Sequence, residues 1–207
     1  MNAPTRLLAK ATLIALLVLP IRVAAQVSPT DTTGMPPAGH GTLGQDNISI
    51  RLEASAISLQ MYPLNEVIIR LLSPDTYRSL HRLLESHQEA IDEASRSYAL
   101  AEPGIFVVTF FGREVSARFD PDEVTITSQN RFFRPVAIIP LSPIWNQHEL
   151  GRRETAAAIY VYEDGIRLLE PFSIEYKGTR INQWQALLSR IEEELARVRT
   201  RAVDPDS

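Results

Sequence analysis

The chain of 207 residues contains few side chains that could bind a metal or act as a nucleophile. It has four histidines and no cysteine, so thiol nucleophiles, disulfides, cysteine-ligated zinc and iron–sulfur clusters are excluded. His81 and Glu85 are four residues apart on one face of a predicted helix, a spacing that a metal could use. The zinc-protease pattern, with two histidines four residues apart and a glutamate beside the first, is absent. Because a metal site needs further convergent ligands, we interpret this pair as part of a solvated helix face and expect no metal or cofactor.

Hydrolytic chemistry also lacks a recognisable motif. No Gly-x-Ser-x-Gly segment occurs that would place a serine on a strained turn between a strand and a helix. The acidic pairs Asp120/Asp122 and Glu163/Asp164 lie in predicted turns, where solvation accounts for them, whereas glycosidase carboxylates must flank a cleft at a set separation. The sequence therefore favours a non-catalytic protein. An envelope hydrolase or carbohydrate-active enzyme with a site near residues 143–155 is the alternative, because triads assemble from residues far apart in sequence.

Residues 143–155 are the best candidate for a binding loop. They form the longest irregular stretch of the predicted domain, and loops on a rigid β scaffold often carry binding residues. Tryptophan and arginine are favoured interface anchors. We therefore predict a partner-binding loop whose contact residues are Trp145, His148, Arg152 and Arg153. The competing interpretation is that Trp145 folds back and caps one end of the domain.

Residues 39–44 match the spacing of the dinucleotide-binding glycine motif. That motif has meaning only where a strand precedes it and a helix follows, because the helix N-terminus holds the pyrophosphate. Here Pro36 and Pro37 precede the glycines and a strand is predicted after them. We therefore reject a dinucleotide site.

Two phenylalanines, Phe132 and Phe133, lie between Arg131 and Arg134, a pattern found in platforms for single-stranded nucleic acid. Charge argues against that function. Three of the 21 basic residues lie in the predicted signal peptide, which leaves 18 basic against 25 acidic residues and a net charge of −7. We expect no binding to nucleic acid or anionic membranes. The phenylalanines are interpreted as core residues with the arginines at a rim.

A β-rich region must position these residues. It consists of short segments rich in β-branched and aromatic residues, separated by turn sequences. The predicted strands in it span residues 105–111, 114–119, 123–127, 132–139, 157–162, 166–169 and 172–176. Two further strands, near residues 48–53 and 57–61, alternate apolar and polar residues. Adjacent strand residues point to opposite faces, so pairs such as Phe110 and Phe111 require cover on both sides, most simply by a facing sheet and a helix.

Two long amphipathic helices bracket this region. The first begins after Ser73 and runs to about Ala99, and the second begins near Arg180; each has an apolar stripe at spacings of three and four residues. The connections between the strands are too short for the crossover helices of a parallel sheet. We therefore predict an α+β fold, mainly an antiparallel β-sandwich of about seven to nine strands flanked by two long amphipathic helices.

The N-terminus has the pattern of an export signal. Residues 1–25 contain a positive segment, a short apolar run and small residues before Gln26, which predicts a signal peptide cleaved at that point. Residues 26–47 are rich in Pro, Thr, Gly and Asp and predict a disordered linker. A single domain is expected over residues 48–203, followed by a loose tail at 204–207. No membrane span is expected after cleavage, so the predicted location is periplasmic or extracellular.

The sequence supports an architecture better than a molecular function. An export signal, a linker, a β scaffold and two striped helices, without convergent catalytic residues, indicate a non-catalytic interaction or structural module of the cell envelope or periplasm. Its expected partner is another protein or a second copy of the chain, bound through the helix stripes.

Overall fold

The computed structural model describes residues 35–203 of the chain. The predicted signal peptide at 1–25, the linker residues 26–34 and the tail at 204–207 lie outside the described residues. Within residues 35–203 the fold is α+β, with eleven strands in antiparallel sheets and four α-helices. The strands outnumber the predicted seven to nine because several are only two or three residues long, too short to show a periodicity.

The strands are β1 Ile50–Ala54, β2 Ile57–Pro63, β3 Gly104–Gly112, β4 Ala117–Arg118, β5 Thr125–Ser128, β6 Arg131–Phe133, β7 Pro135–Pro140, β8 Glu149–Leu150, β9 Thr155–Tyr162, β10 Phe172–Tyr176 and β11 Thr179–Ile181. The helices are α1 Glu66–Ile69, α2 Pro74–Ser86, α3 Gln88–Ser97 and α4 Gln183–Val203. One sheet has the order β1-β2-β3-β9-β7, a second has the order β11-β10-β5-β6, and β4 pairs with β8.

The two larger sheets share an aromatic core. Phe106 in β3 lies 6.0 Å from Phe172 in β10, measured between ring centroids. Phe110 in β3 lies 5.5 Å from Tyr176 in β10. These four rings are buried, and because side chains alternate along a strand they define the inner face of each sheet. The core of the protein therefore includes the space between these two sheets.

Three predicted strands differ in the structure. No strand forms at residues 166–169, of which Leu168 and Leu169 lie in a turn, and the indole N–H of Trp184 donates to the Leu168 carbonyl oxygen at 2.9 Å. Only β4 remains of the strand predicted at 114–119. The strand predicted at 132–139 divides at Arg134 into β6 and β7, which belong to different sheets. Apolar residues lie on both sides of Arg134, where the backbone passes from one sheet to the other. The hydrophobic pattern of the sequence therefore could not show the division.

The helix predicted from Ser73 to Ala99 is two helices, α2 and α3, joined at His87. The carbonyl oxygen of Leu83 would accept the His87 backbone N–H in a continuous helix. Instead it accepts the Ser86 hydroxyl at 2.9 Å and lies 3.0 Å from the His87 ring nitrogen, while the His87 N–H turns to Leu84. Local side-chain hydrogen bonds thus compete with the backbone ladder and break the helix.

The expected helical cover of the outward phenylalanines is wrong in part. Phe132 is 51% exposed. Phe111 is half-buried and lines an open groove with Arg51 and Gln60. Val107 lies on the same face of β3 as Phe111 and is buried. At that end of the sheet, helix α3 packs near β7. Helical cover is therefore limited to part of the outer face.

The apolar stripe of α4 is used inside the chain. All its large members are buried, and the helix packs on β10, on β1 and on a 3₁₀ turn at Gln45–Ile48. These members are Trp184, Leu188, Ile191, Leu195 and Val198. The α4 stripe therefore covers the protein's own core, whereas binding of a partner or a second copy through the helix stripes stays a prediction. Within residues 35–203 no helix has the length and apolar character to span a membrane.

Residues 40–44, assigned above to the linker, pack against the domain. The Leu43 N–H donates to the Leu71 carbonyl at 3.1 Å, the Ser73 N–H donates to the Leu43 carbonyl at 2.8 Å, and the Leu43 side chain is buried. A Cβ atom on Gly41 would lie 2.2 Å from the Leu71 carbonyl carbon, so only glycine fits there without displacing the backbone. The ordered part of the chain therefore begins before residue 48.

A buried carboxylate fastens this segment to α4. The Glu194 side chain is 0% exposed. Its Oε1 accepts the Thr42 N–H and hydroxyl, each at 2.9 Å, and Arg201 at 3.0 Å. Arg201 also donates to the His40 carbonyl at 2.7 Å. The second carboxylate oxygen lies 3.5 Å from Arg197. Charge-assisted hydrogen bonds of this kind are stronger than neutral ones.

This carboxylate gives a prediction for acid stability. Burial raises the pKa of the Glu194 carboxyl, but the hydrogen bonds from Arg201 and Thr42 outweigh it, so the pKa lies below the ordinary value of 4.5. A pKa lowered by folding stabilises the protein above the pKa of the unfolded chain, and this contribution is lost as pH falls through the folded-state pKa. Glu194→Gln should therefore lower the free energy of unfolding at neutral pH by about 1.5–3 kcal/mol.

Urea denaturation at neutral pH and at about pH 3 measures this effect, and the difference from wild type should shrink at the lower pH. Glu192→Gln, an exposed neighbour in α4, is the control and should behave like wild type. An equal loss for Glu194→Gln at both pH values would contradict the assignment of the stabilisation to the ionised carboxylate.

Candidate binding groove

The predicted binding loop is ordered by the core. Trp145 is buried, with its ring centroid 5.2 Å from Phe119 and 5.8 Å from Phe110. It therefore caps one end of the aromatic core, as in the competing interpretation, and cannot anchor a partner. The loop also contains β8 and a 3₁₀ turn at Trp145–Gln147, so it is less irregular than its sequence indicates.

The structure gives the surroundings of the other three predicted contact residues one by one. His148 has a left-handed backbone conformation, with φ of 52°, and its ring lies 5.6 Å from Phe119. Arg152 and Arg153 are exposed, and the Arg153 N–H donates to the Gly112 carbonyl at 2.8 Å, which ties this part of the loop to β3.

His81 and Glu85 belong to an ion-pair cluster between α1 and α2. One ring nitrogen of His81 lies 2.6 Å from a Glu66 oxygen and the other lies 3.3 Å from Glu85. Arg70 pairs with Glu66 at 2.7 Å, and the Tyr77 ring stacks on His81. The cluster holds the short helix α1 against α2. Among residues 35–203 no group of three or more His, Cys, Asp or Glu side chains is arranged to hold a metal ion.

A groove of about 560 Å³ lies over the outer face of the β11-β10-β5-β6 sheet. We call it the sheet groove. It is lined by Asp120, Asp122, Glu123, Thr125, Phe132, Arg134, Glu175, Lys177 and Gly178. Its volume is within the roughly 300–1,000 Å³ of ligand sites in proteins. Of these residues, the sequence predicts Asp120 and Asp122 in a turn, and Phe132 in the core with Arg134 at its rim.

The floor of the sheet groove is formed by paired strands. Thr125 in β5 is the register partner of Glu175 in β10. Their neighbours Ile126 and Ile174 are buried on the inner face, so alternation turns Thr125 and Glu175 outward into the groove. Thr125 is only 8% exposed, and its hydroxyl has no hydrogen-bond partner in the described part of the chain. Among residues 35–203 the buried side-chain atoms without a partner are Ser128 Oγ and Glu194 Oε2, so the Thr125 hydroxyl is open to the solvent of the groove.

One wall of the groove is the segment from Asp120 to Val124, which three tyrosines of the core hold in place. The Tyr160 hydroxyl donates to the Pro121 carbonyl at 3.0 Å, and the Tyr162 hydroxyl donates to the Val124 carbonyl at 3.1 Å. The Tyr176 hydroxyl accepts the Asp120 N–H at 3.1 Å. Within the segment, the Asp120 carboxylate caps a 3₁₀ turn, Pro121–Glu123, by accepting the Asp122 N–H. The exposed carboxylates of Asp122 and Glu123 thus belong to a backbone segment that the tyrosine hydrogen bonds hold in place.

Burial keeps these tyrosines protonated. It raises the pKa of Tyr160 and of Tyr162 above the ordinary value of 10.0, and it raises the pKa of Tyr176 to about 12. The unfolded chain therefore loses these protons first as pH rises. The free energy of unfolding should fall above about pH 10. Below that pH the hydroxyl groups of Tyr160 and Tyr162 remain donors to the groove wall.

The opposite wall carries an aromatic ring and a cation. The Arg134 guanidinium carbon lies 5.6 Å from the centroid of the Phe132 ring. Such contacts are favourable by about 0.5–1 kcal/mol at exposed sites. In the described residues Arg134 has no ion-pair partner, whereas Glu175 pairs with Arg180 at 2.7 Å and Lys177 donates to the Arg118 carbonyl at 3.1 Å. Arg134 therefore keeps its donors for a ligand.

The lining of the sheet groove combines charged groups with an aromatic ring and a hydroxyl. Its lining has four carboxylates and two cations, a formal net charge of −2, with no histidine, serine or cysteine. Phe132 provides an apolar face and Thr125 a hydroxyl. The sequence carried one signal for this site: Phe132 and Phe133 must face opposite sides of a strand, and only one side is the core. In the structure Phe133 is the buried residue and Phe132 is exposed.

The tyrosine contacts give a test of how the groove wall is held. Tyr160→Phe removes the donor to the Pro121 carbonyl and leaves that buried acceptor unpaired, which should lower the free energy of unfolding by about 1–3 kcal/mol. Tyr98→Phe is the control because Tyr98 is 54% exposed, and it should change the same free energy by less than about 0.5 kcal/mol. Urea denaturation at neutral pH measures both. Equal effects of the two substitutions would contradict a structural role for the Tyr160 hydroxyl.

Comparison with known proteins does not supply a function. No protein-family model matches the chain, and no curated protein or solved structure matches it. The proposed function therefore rests on the lining residues of the sheet groove.

Proposed function

We propose that this protein is an exported, non-catalytic interaction module that binds a protein partner through the sheet groove. The two larger sheets form a β-sandwich scaffold in this proposal, and the groove occupies the outer face of the smaller sheet. Export rests on the signal-peptide pattern of residues 1–25 and places the module in the periplasm or outside the cell.

The observation that carries this proposal is the Phe132 ring in the sheet groove, exposed next to Arg134, which has no ion-pair partner among residues 35–203. Phe132 is 51% exposed although the other face of its sheet is the core, and the Arg134 guanidinium carbon lies 5.6 Å from its ring centroid. Its surroundings are preorganised, because the floor is a paired sheet and the wall at Asp120 is fixed by buried tyrosines. A site that is already shaped loses little conformational entropy when it binds.

A protein partner fits the surface better than self-association through helices. The stripe of α4 is buried in its own chain, as is Leu80 in α2. Phe132 and Arg134 are different: they are exposed, and aromatic and arginine side chains are enriched among residues that dominate interface energies.

Site-specific photo-crosslinking tests the proposal. A benzophenone amino acid in place of Phe132 keeps an aromatic ring at the groove, and the same residue in place of Val115, which is 83% exposed, is the matched control. After irradiation of intact cells we expect a discrete adduct with one envelope or secreted protein from position 132 and none from position 115. Absence of an adduct at position 132, or identical adducts from both positions, would contradict the proposal.

A further inference from the structure

We propose that the partner protein binds through an extended segment, which adds as a β-strand along the outer edge of β6 and β7 and places a side chain beside Phe132. This inference rests on the proposed function and specifies the form of its ligand. It is carried by backbone N–H and C=O groups that the strand pairing of the described chain leaves without a partner.

Strands β6 and β7 are the last strands of the two larger sheets. The orders are β11-β10-β5-β6 and β1-β2-β3-β9-β7, and Arg134 alone separates β6 from β7 in the chain. At the other end of these orders, β1 and β11 contact each other. Among residues 35–203 neither β6 nor β7 has a second neighbouring strand. We call this side, from Arg131 to Pro140, the open edge.

The register of β7 shows which of its backbone groups face the open edge. The Leu141 N–H donates to the Ala157 carbonyl at 2.9 Å. Hydrogen-bonded pairs recur at every second residue of an antiparallel ladder, so the next such pair joins Ile139 to Ile159. Ile138 therefore directs its N–H and C=O groups away from β9. In the described part of the chain these groups have no partner, although helix α3 packs near β7.

Phe132 has the same position in β6. The two-residue turn Gln129–Asn130, with φ angles of 49° and 60°, joins β5 to β6 and sets Ser128 opposite Arg131. The pair that closes such a hairpin is hydrogen-bonded, so the next residue, Phe132, directs its backbone groups away from β5. Its ring lines the sheet groove. Phe132 can therefore offer one ligand both an aromatic face and an unpaired N–H and C=O.

Unpaired backbone groups on an outer strand are complementary to an extended peptide. Such a peptide forms main-chain hydrogen bonds, and its alternate side chains supply specificity. Val136, Ile138 and Ile139 are half-buried, so apolar side chains of the added strand would find apolar neighbours. Pro140 faces the same edge and has no N–H, which ends the stretch that can pair.

A second copy of this chain fits the open edge less well. If two β7 strands paired antiparallel about Ile138, Pro140 of each copy would lie opposite Val136 of the other, and its missing N–H would remove a hydrogen bond at each end. β6 and β7 have only three and six residues, whereas stable interfaces bury roughly 1,200–2,000 Å². The edge is therefore assigned to a segment of another protein, and self-pairing is an outcome of the test.

Amide hydrogen exchange of the purified protein tests whether the edge is open. After correction for intrinsic rates, we expect the Phe132 and Ile138 amides to exchange at least about tenfold faster than those of Phe133 and Ile139, which pair with β5 and β9. An amide of Phe132 or Ile138 as protected as its neighbour would overturn the inference.

Photo-crosslinking from position 132 then tests the strand pairing in cells. Ile138→Pro removes the outward N–H and leaves the bonds to β9, as prolines on outer strands do. Ile138→Val keeps the N–H and is the matched control. We expect the proline variant to lower the yield of the partner adduct at least about fivefold and the valine variant to lower it less than about twofold. Thermal denaturation checks that both variants fold, and if the proline variant does not, the exchange measurement decides.

The outcomes separate this inference from the proposed function. An unchanged adduct yield in folded Ile138→Pro would reject the added strand and leave the binding function in place. An adduct of twice the mass of the chain would assign the edge to a second copy and also overturn the inference. Absence of any adduct from position 132 in the otherwise unaltered chain would reject the proposed function, and the inference with it.

Discussion

Three tyrosine hydroxyls beneath the groove wall connect the core of this protein to its candidate site. Tyr160 and Tyr162 come from the five-stranded sheet and Tyr176 from the four-stranded sheet, yet all three bond to the segment between Asp120 and Val124. A buried carbonyl or N–H group without a partner destabilises the folded state by about 1–3 kcal/mol. The segment is therefore confined to the position in which those bonds form, and its carboxylates face the groove as a consequence.

Buried polar contacts also fix the segment at residues 40–44 near the N-terminal end of the described chain. Glu194 is buried in α4 because Thr42, Arg201 and Arg197 surround it, and Gly41 lets the segment approach the Leu71 backbone. Breaking a buried ion pair from one side leaves an uncompensated charge, which is strongly destabilising. The fold thus uses apolar burial for the sheets and α4, and a small number of buried polar contacts to fix the segments that run across them.

Sequence patterns predicted the long regular elements and missed the short ones. Strand β3 and helix α4 were predictable because each repeats its periodicity over several residues. The break at His87 and the change of sheet at Arg134 depend on local hydrogen bonds and on tertiary pairing, which hydrophobicity does not record. The sheet groove was not predictable as a unit, since its residues run from Asp120 to Gly178 and meet only when β5, β6 and β10 pair.

Amide hydrogen exchange in a Tyr160→Phe/Tyr162→Phe double variant tests most directly whether the buried tyrosines position the groove wall. We predict that the Asp122 and Glu123 amides exchange about tenfold faster than in wild type, equivalent to about 1.4 kcal/mol of local opening. The amides of β2 and β3, which are paired along their length, should keep their protection. Unchanged exchange at Asp122 and Glu123, or a uniform increase throughout the protein, would contradict the account.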